Sequence, residues 1–97
     1  MPYTVNFTHA GSPMTAEKYE SAIKKLEAAG AEHPKGRSFH VSYGDSRDLH
    51  IMDIWDNMED FQEFGKTLMP ILQELGVDPG QPDVQPVFNV ISEAVHA

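Results

Sequence analysis

The chain of 97 residues contains no cysteine. Disulfide frameworks, thiolate metal sites and a cysteine nucleophile are therefore excluded. Positive charge is scarce as well: seven Lys and Arg stand against fifteen Asp and Glu, a formal net charge of −8. Such a field repels a phosphate backbone, and no Lys/Arg stripe overrides it, so nucleic acid and anionic membrane surfaces are poor partners. The same charge favours solubility. No stretch approaches the ~18 apolar residues of a membrane span. The start, MPYTVNFTHAG, lacks the basic n-region and apolar run of a signal peptide. These features together lead us to expect a cytoplasmic protein. G-x-G-x-x-G, P-loop, H-E-x-x-H and G-x-S-x-G motifs are all missing, and Ser–His catalysis has no sequence support.

What is present reads as alternating strands and helices in one domain spanning residues 1–97. Tyr3, Val5 and Phe7 alternate with Thr4, Asn6 and Thr8, the period of a strand. Thr15 is a good N-cap for a helix whose apolar stripe is Tyr19, Ala22, Ile23, Leu26 and Ala29, with Gly30 as its stop. Strands at about Arg37–Tyr43 and Leu49–Trp55 flank GDSRD and form an antiparallel hairpin. An odd loop, Gly44–Ser46 or Gly44–Asp48, would place Phe39, Val41 and Tyr43 on the same face as Leu49, Ile51, Asp53 and Trp55. Asp56 and Glu59 read as a relative of the capping box at the head of a second helix. Its stripe is Phe61, Phe64, Leu68, Ile71, Leu72 and Leu75, and Pro70 inside it predicts a kink or break near Lys66–Met69. A last strand is expected at about Gln85–Glu93.

The order β-α-β-β-α-β is that of an α+β ferredoxin-like fold, an antiparallel four-stranded sheet with two helices on one face. On the odd-loop register the other face carries Ser38, His40, Ser42, His50, Met52 and Ile54, half apolar and without a cover. Soluble proteins rarely leave such a patch wet, so pairing across a two-fold axis into a homodimer is expected.

The stretch DIWDNMEDFQEF, residues 53–64, an aromatic-ended third strand running straight into a helix of F-x-x-F type, resembles the dimeric α/β-barrel superfamily. It is similar to the antibiotic-biosynthesis-monooxygenase group, and LMPILQELGV and PVFNVI look more specifically like a group of small bacterial proteins of that superfamily. The resemblance implies a dimeric α/β barrel and a cofactor-free oxygenase that binds an aromatic substrate between sheet and helices. Trp55 matches the strand-three tryptophan that lines the pocket in such enzymes, with Asp53 on its face. Haem-degrading relatives also use an Asn on strand one and a His on helix two. Asn6 alternates onto the opposite face from Val5 and Phe7, and residues 57–75 hold no His, so haem degradation is disfavoured.

Residue by residue, two readings stand side by side. Trp55 either stacks a planar ligand or bridges strand and helix as a core ring. Asp53, an acid on an apolar face, either serves as a general base or meets a local partner such as Tyr3, Tyr43 or Arg37. Tyr43, Phe61 and Phe64 are the candidate ligand walls. His40 and His50 fall opposite each other on the interface face with Met52 beside them, as hydrogen-bonded interface histidines that make the dimer sensitive to pH near 6. Two imidazoles are too few for zinc, so no metal is expected. The functional expectation is a cofactor-independent monooxygenase-like enzyme acting on a small aromatic or apolar molecule. The alternative is a non-catalytic ligand-binding or dimerisation module.

Overall fold

The computed structural model describes residues 1–9 and 12–93. Its elements run β1 (Tyr3–Phe7), α1 (Ala16–Ala28), β2 (Arg37–Asp45), β3 (Asp48–Trp55), α2 (Met58–Glu74) and β4 (Asp83–Pro86). The strands form one antiparallel sheet in the order β2-β3-β1-β4. This is the expected ferredoxin-like layout. Alternation along β1 and β3 sends Val5, Phe7, Ile51, Asp53 and Trp55 to the buried face. There they meet Leu26 of α1 and Phe64 and Leu72 of α2.

Both helices start and stop for identifiable reasons. Thr15 accepts from the Lys18 N–H at 3.2 Å, as its position predicts. The cap of α2 is Asn57 and not Asp56: its side chain accepts from the Asp60 N–H at 2.8 Å. Each helix ends in the same motif, with a glycine at φ 71° (Gly30, Gly76). The next residue then donates back five positions, Ala31 to Leu26 at 2.8 Å and Val77 to Leu72 at 2.9 Å. α2 runs unbroken through Pro70, so the expected break is absent.

The β2–β3 hairpin departs from expectation. Its turn has two residues, Ser46 and Arg47, because Asp45 pairs with Asp48. The Asp45 carboxylate closes that turn by accepting from the Arg47 N–H at 2.8 Å and from its guanidinium at 3.0 and 3.1 Å. An even turn inverts the predicted faces of β2. His40 now pairs with Asp53 and Tyr43 with His50. Phe39, Val41 and Tyr43 therefore join His50, Met52 and Ile54 on the outer face, where Phe39 and Tyr43 are about half exposed. A register shift between Arg37 and Phe39 then sets Arg37 opposite Trp55 and re-aims it toward the helices.

β4 is shorter than expected. Tyr3 pairs with Pro86, and the Val87 N–H still reaches the Pro2 carbonyl at 3.0 Å. Beyond that point no strand pairing continues among the described residues, and Phe88, Val90 and Ile91 are exposed.

Candidate functional site

Three side chains from three elements converge where β2 and β3 pass beneath α1. Asp53 is 3% exposed, and both of its oxygens are engaged. Oδ1 lies 2.6 Å from His40 Nδ1, across the strand pair. Oδ2 accepts from Trp55 Nε1–H at 3.3 Å. On the far side of the imidazole, His40 Nε2 is 2.7 Å from the Tyr19 hydroxyl, and the two rings lie within 8° of parallel. The carboxylate can only accept, so it fixes a proton on Nδ1, and in the neutral ring Nε2 is then the acceptor of the Tyr19 O–H. The result is a directed chain, Tyr19 to His40 to Asp53. A carboxylate holding an imidazole in one tautomer is the arrangement that general bases use.

The chain borders a cavity of about 50 Å³ that widens into an open recess, with some 490 Å³ of free space including its mouth. Phe7, Met14, Leu26, Ile51, Phe64 and Leu72 supply most of its wall, and Arg37, His9, His40, Asp53 and Tyr19 are its polar points. Arg37 sits with its guanidinium carbon 5.7 Å from the Phe64 ring centroid and spends one N–H on the Glu32 carbonyl at 3.0 Å. That leaves a cation at the wall with further donors directed elsewhere. His9 is 3% exposed and adopts φ 52°, in the left-handed region. Burial lowers its pKa below the usual histidine value, against an opposing pull from the Leu49 backbone and from Asp48. A wider, more open depression of about 300 Å³ is bordered by His33, Lys35, Asp60 and Glu63. It gathers charges of both signs and lacks the buried polar chain of the first.

The sequence-derived candidates divide on this geometry. Asp53 and Phe64 reach the cavity wall. Trp55 is fully buried and meets the site from behind, through Asp53 and Phe64. It packs against Phe61 and Phe64 at 5.5 and 5.4 Å between ring centroids. Phe61 contacts Trp55 and Phe7 and lies outside the cavity lining. Tyr43, expected as a wall, stands on the outer face 5.6 Å from His50. His40, expected at an interface beside His50, is on the helix side, because the two-residue turn reverses its face. His50 and Met52 do lie on the outer face. Tyr19 and His9 line the cavity without having been candidates, and Arg37, expected only as a local partner of Asp53, lines it too. Tyr19 falls in an ordinary apolar stripe, Arg37 is aimed by a bulge, and His9 stands just past the end of β1, none of which marks a site in the sequence. Among the described residues no group of three His, Asp or Glu converges as a metal site.

Solved structures share this architecture. A candidate antibiotic biosynthesis monooxygenase from Chloroflexus aurantiacus J-10-fl superposes with a TM-score of 0.59 at 16% identity, covering 93% of this chain and 97% of its own. SnoaB, a cofactor-independent oxygenase from Streptomyces nogalater, gives 0.59 at 13% identity over 95% and 96% of the two chains. Rv0793 from Mycobacterium tuberculosis gives 0.52 at 14% identity over 98% and 100%. The fold is that of the antibiotic biosynthesis monooxygenase-like proteins. No protein-family model and no curated protein matches the sequence. At these identities the antibiotic biosynthesis monooxygenase-like fold describes architecture, and chemistry has to be argued from the side chains themselves.

Proposed function

We propose that the protein is a cofactor-independent oxygenase-type enzyme that begins its reaction by removing a proton from a small hydroxylated or enolisable aromatic molecule. The observation that carries this reading is the Tyr19–His40–Asp53 chain on the wall of an apolar cavity. His40 Nε2 is the proton acceptor, reached directly or through the Tyr19 hydroxyl. Asp53 is a positioning residue, since both its oxygens are committed. Arg37 offers positive charge to the anion that forms. That anion is electron-rich enough to reduce dioxygen itself. One oxygen atom ends on the substrate carbon, the other leaves as water, and both hydrogens and the electrons come from the substrate. SnoaB, described as a cofactor-independent oxygenase, supports the reading by analogy of fold.

The test is oxygen uptake across a panel of one- to three-ring hydroxyaromatics. Uptake with at least one of them should fall by at least ~100-fold in His40→Gln, the usual contribution of a general base. A rate unchanged by that substitution refutes the assignment. One observation favours a second reading, a ligand-binding or dimerisation module without catalysis: the enclosed volume of about 50 Å³ is below the ~300 Å³ of ordinary ligand pockets. On the first reading a ring is taken up through the open recess.

The proposal includes a homodimer acting in the cytoplasm. The outer face, with Phe39, Val41, Tyr43, Met52 and Ile54 together, is more apolar than the sequence register implied, and exposed Phe88 and Ile91 add to the surface that a second copy would cover. Sedimentation at micromolar concentration should give twice the chain mass, and a single-chain mass refutes the dimer.

A further inference from the structure

The cavity beside the Tyr19–His40–Asp53 chain is walled mainly by carbon. Met14, Ala22, Leu26, Ile51, Phe64 and Leu72, all buried, line it from α1, α2, β3 and the turn before α1. Its polar neighbours are turned on one another. Both Asp53 oxygens and both His40 nitrogens already hold partners, and the Tyr19 hydroxyl is bonded to His40. His9 Nδ1 is shut off from solvent, and Arg37 gives an N–H to the Glu32 carbonyl. A buried water asks for about three polar partners, which this wall offers only along its polar edge. Size sets the other limit. A cavity that takes a benzene ring measures ~150 Å³, against about 50 Å³ here. The space therefore turns away an aromatic ring, which stays in the open recess, and has room for a diatomic molecule.

We propose that this cavity is the binding site for dioxygen, with the aromatic substrate confined to the recess outside it. The inference rests on the proposed function, which needs dioxygen beside the substrate anion, and deepens it by giving the two reactants separate spaces. Dioxygen carries no charge and gives up little hydrogen bonding when it leaves water, so a carbon-lined space favours it. The same surface holds back water and anions, which lose their hydration there without replacement. His40, the acceptor of the substrate's proton, borders this cavity, so dioxygen held in it lies next to the ring as negative charge develops. Ala22 controls the free space. It is the smallest side chain of the wall, three residues after Tyr19 on α1 and so on the same face of that helix. Ala22→Val puts two more carbon atoms into the cavity.

The probe is dissolved dioxygen itself, whose unpaired electrons speed the relaxation of nearby nuclei. Protein with ¹³C-labelled methyl groups is compared under oxygen and under nitrogen. Methyls of Met14, Leu26, Ile51 and Leu72 should gain several-fold more relaxation under oxygen than those of Val5 and Val77, which are also buried but lie outside the cavity lining. Ala22→Val should lose this excess. In the oxygen-uptake assay it should raise the KM for dioxygen without a matching rise in the KM for the hydroxyaromatic. If the cavity methyls gain no more than Val5 and Val77, dioxygen does not collect there and the inference fails alone. It also fails alone if Ala22→Val loses the excess yet keeps the KM for dioxygen, because the reacting dioxygen then comes from elsewhere. If the excess is present but no hydroxyaromatic supports uptake, the proposed function fails and leaves a gas-binding cavity without a reaction. Should Ala22→Val not fold, the comparison among wild-type methyls decides.

Discussion

Asp53→Leu tests the site most severely through stability. The substitution removes an acceptor 3.3 Å from Trp55 Nε1 and 2.6 Å from His40 Nδ1. Trp55 is wholly buried, so its N–H is left unsatisfied at a cost of roughly 1–3 kcal/mol. Loss of the charge-assisted bond to His40 adds about 1.5–3 kcal/mol. Relief of the carboxylate's burial and the added apolar contact of leucine offset part of this, by about 1–2 kcal/mol. The net expectation is a loss of about 3 kcal/mol. For a domain of this size that corresponds to a fall in Tm of roughly 12–24 °C. Asp53→Asn keeps one acceptor and should lose only about 1 kcal/mol. Urea unfolding followed by the fluorescence of the single tryptophan reads both variants at the site itself. A double-mutant cycle with His40→Leu should show a coupling of at least ~1 kcal/mol. Asp53→Leu within ~0.5 kcal/mol of wild type, the range of ordinary surface changes, would refute the buried chain.

Three further outcomes follow from local structure. Asn57→Ala should cost about 1 kcal/mol in urea unfolding while Asp56→Ala costs little, since the cap is Asn57. Pro70→Ala should stabilise, by up to ~3 kcal/mol, because Pro70 lies inside α2 and is exposed there. The pH dependence of His9 has a definite sign. Burial lowers its folded pKa, so the unfolded chain binds the proton more readily. The resulting loss is absent above the unfolded value of ~6.5 and grows as pH falls from there toward the folded pKa. The difference in Tm between wild type and His9→Asn should therefore shift against wild type between pH 7.5 and pH 5, and a pH-independent difference would contradict the assignment.

The layout was legible because it rests on periodicity. Val5 and Phe7 at spacing two, and the stripes through Leu26 and through Phe64 and Leu72, commit their elements wherever the loops fall. The site was legible only in half. Asp53 stood out as an acid on an apolar face and is buried in the site, but its partner was assigned to the wrong side of the sheet. A single local event decides that: Asp45 binds Arg47 and closes a two-residue turn. One residue more or less would have sent His40 outward and Tyr43 inward. Arg37 depends in turn on a bulge, and His9 on a left-handed φ. Neither has a periodic signature. The length of β4 depends on what β1 offers as a partner and not on the apolar pattern of residues 87–91.

The central claim is that His40 faces the helices as a one-tautomer imidazole held by Asp53. Long-range ¹H–¹⁵N correlation spectra of ¹⁵N-histidine-labelled protein at neutral pH test it directly. The expected result is a His40 ring with its proton on Nδ1, slow to exchange, an unprotonated Nε2, and loss of that protection in Asp53→Asn. A His40 ring protonated on Nε2, or one that exchanges freely and is indifferent to Asp53, would contradict the account.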